Sequence, residues 1–244
     1  MRNVRIFDEK PDISVGCGFQ LGEDGSGHVG RVLRMQMGDE LTVFNGSGWD
    51  YRSVITEVSK KAVAVKVLDQ KKVENESKLK IHLGQVISRG DKMDFTIQKA
   101  VELGVSEITP LLSEFCGVRL DRSRLEKKTQ QWRKIVISAC EQCGRSVIPA
   151  LHHPKTLDEF MASSDTPCLN LHPKAERSIA GLNRDLSSGV RLVIGPEGGL
   201  SSDEIGHLRL LGCQEVLLGP RVLRTETAAL CAISILQSCY GDMG

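Results

Sequence analysis

Two hydrophobic rhythms divide the chain near residue 72. Before it, apolar and polar residues alternate. "ELTVFNGSGWDYRSVITEVSKKAVAVKVLDQ" (40–70) reads as strands, with "NGSG" as a hairpin turn between two of them. Several short strands joined by tight turns predict a small β-barrel over residues 1–72. "KKVENESKLK" (71–80) is polar and charged and reads as a linker. Strands then alternate with helices over 73–244. "KLKIHLGQVIS" predicts a buried strand, and "GDKMDFTIQKAVELGV" places Met93, Ile97, Ala100, Val101 and Gly104 on one helical face. "SEITPLLSE" is the next strand, and this β-α-β order implies a parallel sheet. A long amphipathic helix over 121–143 has Leu125, Trp132, Val136, Ala139 and Cys143 on its apolar face. Residues 146–166 read as a loose connector with a short helix near 156–163. "PCLNLHPKAE" then gives a strand ending at Asn170-Leu171-His172-Pro173. "GVRLVIGPEGGLSSDEIGHLRLLG" is strand, loop and helix, with Ser201 and Glu204 spaced as a capping box. "QEVLLGPRVLRTETAALCAISILQSCY" repeats that plan.

Composition narrows the function classes. The 244 residues are 40% hydrophobic and 26% charged, ordinary for a globular protein, and the net charge is +1. Any nucleic-acid contact must therefore come from local patches. Two are present. Arg31 and Arg34 lie three apart beside His28, and Lys127 and Lys134 share the polar face of the long helix. Residues 116–145 hold eight Lys/Arg against three acids. A solvated turn and a solvated helix face would look the same. The start, "MRNVRIFDEK", has no apolar stretch, and no 18-residue apolar run occurs, so neither secretion nor membrane insertion is expected and the cytoplasm is the expected compartment. Of eight cysteines, only Cys140-x-x-Cys143 has suggestive spacing. No second pair completes a zinc site, so no metal is expected and the thiols read as reduced and mostly buried.

The glycine-rich turn in "LVIGPEGGL" (192–200) raises the question of a phosphate cradle. It lacks the Lys-Ser/Thr pair of a P-loop. Glu197 in its middle would repel an anion, and Pro196 removes a backbone donor. A simple turn between strand and helix is one reading. A loop whose backbone approaches a neutral or cationic adenosine derivative is the other. The second gains weight because three strand ends carry such loops: "NLHP", "IGPEGG" and "LLGPRVLRTETA". Ligands of open α/β sheets bind at the carboxyl ends of strands.

"LVIGPEGGLSSDEI" together with "LLGPRVLRTETAAL" resembles the signature of the SPOUT superfamily of S-adenosylmethionine-dependent RNA methyltransferases. With "GHVGRVLRM", "IHLGQVISRGDKMDFTIQKAVELGV", "CEQCGR" and "NLHP", the resemblance narrows to the RsmE family, which methylates N3 of a uridine in 16S ribosomal RNA of the small ribosomal subunit. It covers nearly the whole chain, less the connector at 146–166. It implies an α/β fold: a SPOUT-type trefoil-knotted methyltransferase domain with a parallel sheet (73–244), preceded by a PUA-like RNA-binding β-barrel (1–72). It implies S-adenosyl-L-methionine as cofactor and a homodimer. The apolar stripe Ala228, Ala229, Ala232, Ile235, Leu236 and Cys239 on the last helix offers a surface for that dimer.

The resemblance also implies site residues. Cofactor contacts, mainly through backbone, fall on Leu171, His172, Gly195, Gly198, Leu218, Gly219, Val222 and Leu223. Uridine N3 must lose its proton before or during attack, and negative charge then spreads onto O2 and O4, so a positioned donor and a base are needed. Arg224 is the first candidate for the donor. Glu226 could orient it or accept the proton, and Asn170 and His172 face the same place. His172 is better suited to a pocket wall than to a base. Arg31, Arg34, Lys127 and Lys134 are the candidate RNA contacts. Two other functions remain open: a ribose 2′-O-methyltransferase of the same superfamily, and a non-catalytic RNA-binding ribosome-assembly factor.

Overall fold

The computed structural model describes residues 4–117, 121–182, 185–186 and 188–244; the side chain of Arg122 lies outside the description. The chain divides into two compact units, Met1–Glu76 with Cys140–Ile148, and Ser77–Ala139 with Pro149–Gly244.

In the first unit, β1 (Arg5–Phe7), β2 (Gly18–Gln20), β3 (Glu40–Phe44), β4 (Trp49–Val58) and β5 (Val63–Lys72) form one mixed sheet in the order β1-β3-β4-β5-β2. Alternation places Tyr51, Ile55, Val63, Val65 and Val67 inward, against Ile6, Leu21, Val29, Leu41 and Val43. The "NGSG" turn joins β3 to β4 as expected. Residues before β3 are not all β, however. Glu23–Gly27 is a helix (α1), and His28–Val32 continues it as a wider turn, with Leu33 N–H donating to the His28 carbonyl. Three glycines within 22–27 hide this helix from a propensity reading. From the distant segment, Arg145 is buried and pairs with Glu76 at 2.9 Å, and Arg5 pairs with Asp50, which also accepts from Ser146. Cys140 is buried here too, and burial pushes its thiol up to about 12, so it is an inert core thiol.

The second unit is built on a parallel sheet of seven strands: β6 (Ile81–Val86), β7 (Glu107–Leu112), β8 (Ala150–Leu151), β9 (Lys155–Thr156), β10 (Cys168–Leu171), β11 (Val190–Ile194) and β12 (Gln214–Val216). The order is β12-β10-β11-β6-β7-β8, with β9 also pairing with β7. Its helices are α2 (Lys92–Glu102), α3 (Arg122–Cys143, whose last residues belong to the first unit), α4 (Leu157–Ala162), α5 (Ser202–Leu210) and α6 (Thr225–Tyr240). The connector at 146–166 thus contributes two short strands besides the expected helix. The α2 helix stops at Glu102, and Gly104 lies beyond it at φ +84° rather than on its face. On α3, Trp132, Val136, Ala139 and Cys140 are buried, whereas Cys143 is only half-buried. The expected capping box at Ser201 and Glu204 is present.

Val86, Leu111, Phe160, Cys168, Val193 and Leu208 form one core cluster of this sheet. Gly84, in the middle of β6, admits Phe160: a methyl group there would stand 2.8 Å from Phe160 Cζ. Buried Arg191 donates to the carbonyls of Phe160 (2.8 Å), Met161 (3.1 Å) and Thr166 (3.0 Å), a cation placed on the C-terminal carbonyls of α4. Ala229, Ala232, Ile233 and Leu236 of α6 are buried within the unit. Tyr240 Oη donates to the Leu182 carbonyl, in the segment between β10 and β11. No helix among the described residues is long and apolar enough to cross a membrane.

Candidate active site

The carboxyl ends of β10, β11 and β12 open into a single cavity of about 590 Å³. Its wall includes Asn170, Leu171 and His172 from the first loop, Gly195 to Leu200 from the second, and Leu217 to Gly219 with Arg221 to Thr225 from the third. Strands 169–171 and 192–194 are adjacent in the sheet, and β12 pairs with β10, so the three loops are neighbours by register. Every residue expected to touch a cofactor lines this one space: Leu171, His172, Gly195, Gly198, Leu218, Gly219, Val222 and Leu223.

Polar groups hold the loops in place. Thr225 Oγ1, at the head of α6, donates to the Gly195 carbonyl at 2.7 Å and accepts from buried Gln85 Nε2 at 2.9 Å. This chain ties β6, the β11 loop and α6 together. No local spacing in the sequence points to Gln85 and Thr225, which lie 140 residues apart. Glu197, itself part of the cavity wall, is paired within the protein. It accepts from Lys92 Nζ at 3.0 Å and from the Arg89 N–H at 3.3 Å. Burial alone would raise its carboxyl, but bonds from its own loop's backbone, Lys92 and Arg89 outweigh that and hold it below the ordinary value.

The expected catalytic residues divide. Arg224 is the residue before α6, exposed on the cavity's rim. Asn170 is buried in the wall, and its Oδ1 has no partner among the described residues. The His172 N–H donates to the Val216 carbonyl, and its Nδ1 lies 3.1 Å from Glu215 Oε2, off the line of a hydrogen bond. Glu226 sits in the first turn of α6 but does not line the cavity. Its Oε2 is buried without a partner, and no ion pair joins it to Arg224 among the described residues.

The candidate RNA contacts lie elsewhere. Arg31 is exposed on the wide turn after α1. Arg34 is exposed with φ +55°, the one non-glycine in the left-handed region among the described residues. Val32 and Met37 beside them are exposed to 67% and 75%, an unusual apolar flank for two cations. Lys127 and Lys134, two turns apart on α3, are exposed on the same face. Arg119, counted in that basic stretch, lies outside the described residues.

Comparisons with known proteins fit this geometry. A family model described as "RNA methyltransferase domain" matches residues 75–237, and one described as "RNA methyltransferase PUA domain" matches 21–68. The protein called ribosomal RNA small subunit methyltransferase E in Buchnera aphidicola (subsp. Schizaphis graminum) is 40% identical over 228 residues, covering 92% of each chain. The chain belongs to the ribosomal RNA small subunit methyltransferase E family. As a member of that family, it shares the fold of a proposed methyltransferase from Legionella pneumophila solved with the cofactor SAM bound. That structure is 43% identical, with a TM-score of 0.95 over 99% of this chain and 100% of the other. The Neisseria gonorrhoeae member, bound to S-adenosyl methionine, is 35% identical with a TM-score of 0.92 over 100% of both chains. The SPOUT-type α/β fold and the N-terminal PUA domain expected from the sequence are therefore those observed.

Proposed function

We propose that this protein methylates N3 of a uridine in 16S ribosomal RNA of the small subunit, with S-adenosylmethionine held at the carboxyl ends of β10, β11 and β12. One observation carries this reading. Three neighbouring loops enclose one cavity with glycine backbone in its wall, and the exposed guanidinium of Arg224 stands on its rim.

The residues present fit such a cofactor. Gly219 has φ +112° and no atom within 4 Å of where a Cβ would stand, so the ligand space reaches the main chain there. Asn170 Oδ1 is a buried acceptor that awaits a donor, as an amine or hydroxyl of an adenosine derivative provides. When bound, S-adenosylmethionine supplies a methyl group made electrophilic by its sulfonium.

Protein groups do the rest. Leu218, Val222 and Leu223 enclose apolar surface, and the backbone of Leu171, Gly195, Gly198 and Gly219 orients the donor. Arg224 stabilises the negative charge that develops on the uracil oxygens as N3 loses its proton. A guanidinium stays protonated and so does not act as the base. Its place at the head of α6 adds the positive end of the helix dipole. Glu226 is assigned the proton, or the orientation of Arg224 once RNA is bound. His172, held toward Glu215, is assigned to the wall. A base-paired N3 is inaccessible, so the target uridine is unpaired or flipped.

Arg31 and Arg34 in the PUA domain and Lys127 and Lys134 on α3 are the proposed RNA contacts, in a cytoplasmic protein. A homodimer is also proposed. Ala229, Ala232 and Leu236 are buried inside the chain, so its interface on α6 rests on the half-buried Ala228 and Ile235 and the exposed Cys239.

The test is to incubate the protein with S-adenosylmethionine and small-subunit RNA lacking the modification, then analyse the nucleosides by mass spectrometry. N3-methyluridine is expected. A ribose-methylated nucleoside, or cofactor binding with no transfer at all, overturns the proposal.

A further inference from the structure

The opposite end of the same sheet carries a second cavity, of about 480 Å³, at the amino ends of β6, β7 and β11. Three potential metal ligands meet in it from separate stretches: His82 on β6, Glu107 on β7 and His152 just after β8. We propose that His82 Nδ1, His152 Nε2 and the Glu107 carboxylate bind one divalent transition-metal ion of the zinc type, which clips these three segments together.

The geometry comes first. One ligand atom from each residue lies within 4.8 Å of the other two. His152 Nε2 is 2.7 Å from Glu107 Oε2, and His82 Nδ1 is 3.8 Å from the same oxygen. Tetrahedral zinc with bonds near 2.0–2.1 Å needs ligand atoms about 3.4 Å apart. The two distances straddle that value, so small side-chain rotations suffice. Two histidines, one carboxylate and a water form a familiar zinc donor set.

The surroundings then select a ligand rather than a plain ion pair. His82 Nε2 lies 2.7 Å from the hydroxyl of Thr109, which is fully buried. With Nε2–H donating to that hydroxyl, Nδ1 keeps its lone pair and faces Glu107, the outer-shell arrangement that orients metal-binding histidines. A neutral imidazole is the form that binds metal. Three cations line the same cavity: Lys80, Lys155 and Arg191. Arg191 is committed to the carbonyls of Phe160, Met161 and Thr166, and Lys80 is exposed. They weaken a cation site without filling it. On binding, His152 takes the tautomer with its hydrogen on Nδ1, so Nε2 exchanges its hydrogen bond to Glu107 for a bond to the metal and no net proton is released.

The site differs from the expectation of no metal, which rests on cysteine spacing alone. It also differs in kind from the cofactor cavity, which offers backbone and apolar side chains.

The experiment uses the full-length protein, stripped with chelator and titrated with Zn²⁺ by calorimetry and by thermal unfolding. One Zn²⁺ per chain is expected, with a rise in Tm. His152→Gln and Glu107→Gln should each weaken binding at least about tenfold and abolish the Tm rise, while their metal-free melting and circular dichroism report an intact fold. His153→Ala, at the exposed neighbouring histidine, should bind as the unaltered protein does. Three results overturn the proposal: no saturable binding, binding that survives both substitutions, or binding lost on blocking the thiols.

Discussion

At the carboxyl ends of β10, β11 and β12, the cavity wall is drawn mainly from three loops, each a nearly continuous run of residues. At the amino ends of β6 and β7, His82, Glu107 and His152 each arrive alone from a different stretch, and the chemistry lies in side chains. The first plan suits a large ligand recognised by shape and main chain, with one or two charged groups reserved for the reaction. The second suits a point charge held by a few donor atoms. One parallel sheet supports both, because all its strands run the same way and its two ends are therefore chemically distinct.

The strongest way to break this contrast is at Arg224, the side chain that the carboxyl end does use. Arg224→Ala should lower turnover by about 100- to 1,000-fold, the usual loss for one charge-stabilising donor, and should leave cofactor affinity nearly unchanged. Lysine should rescue only part, since a point charge does not reproduce the planar fork. Single-turnover assays with saturating RNA and cofactor separate the two effects.

Gly219→Val attacks the backbone wall instead. It forces a β-branched residue to φ +112° and fills ligand space. Strain of about 1–3 kcal/mol and steric exclusion should weaken cofactor binding at least about tenfold, measured by calorimetry, with less effect on turnover at saturation.

Next comes the polar chain beneath the loops. Thr225→Val removes the donor to the Gly195 carbonyl and an acceptor from Gln85, both buried or half-buried. A loss of about 1–3 kcal/mol in denaturant unfolding is expected, with a few-fold weaker cofactor affinity.

The smallest effect concerns Glu197. Its carboxyl is held below the ordinary value of 4.5, so its contribution to the loop is complete above that value and is lost as pH falls through its own lower one. Lys92→Ala removes its ion-pair partner and should move that loss to higher pH. Cofactor affinity measured across the acid range checks it.

The same contrast governs what could be read from the sequence. "NLHP", "IGPEGG" and "LLGPRVLRTETA" were legible because each loop is contiguous and each follows an apolar strand. The periods of β6, α2, β7, α3 and β11 were legible because burial repeats at fixed spacing. β8 and β9 were not, since two-residue strands have no period. Nor was the helical turn over Glu23–Val32, which runs through glycines. The stripe on α6 gave a face but not what covers it, and Ala229, Ala232 and Leu236 are core residues of the chain itself. Nothing local in "CEQCGR" says that Cys140–Ile148 joins the first unit. The Gln85–Thr225 bond and the His82, Glu107 and His152 cluster depend on which strands become neighbours, and no spacing encodes that.

Hydrogen exchange with and without S-adenosylmethionine tests the division between the two ends most directly. The account predicts added protection in residues 171–173, 195–200 and 217–225, and unchanged exchange at 80–82, 105–107 and 152–155. Protection at the amino ends of the strands, or none in the three loops, would contradict it.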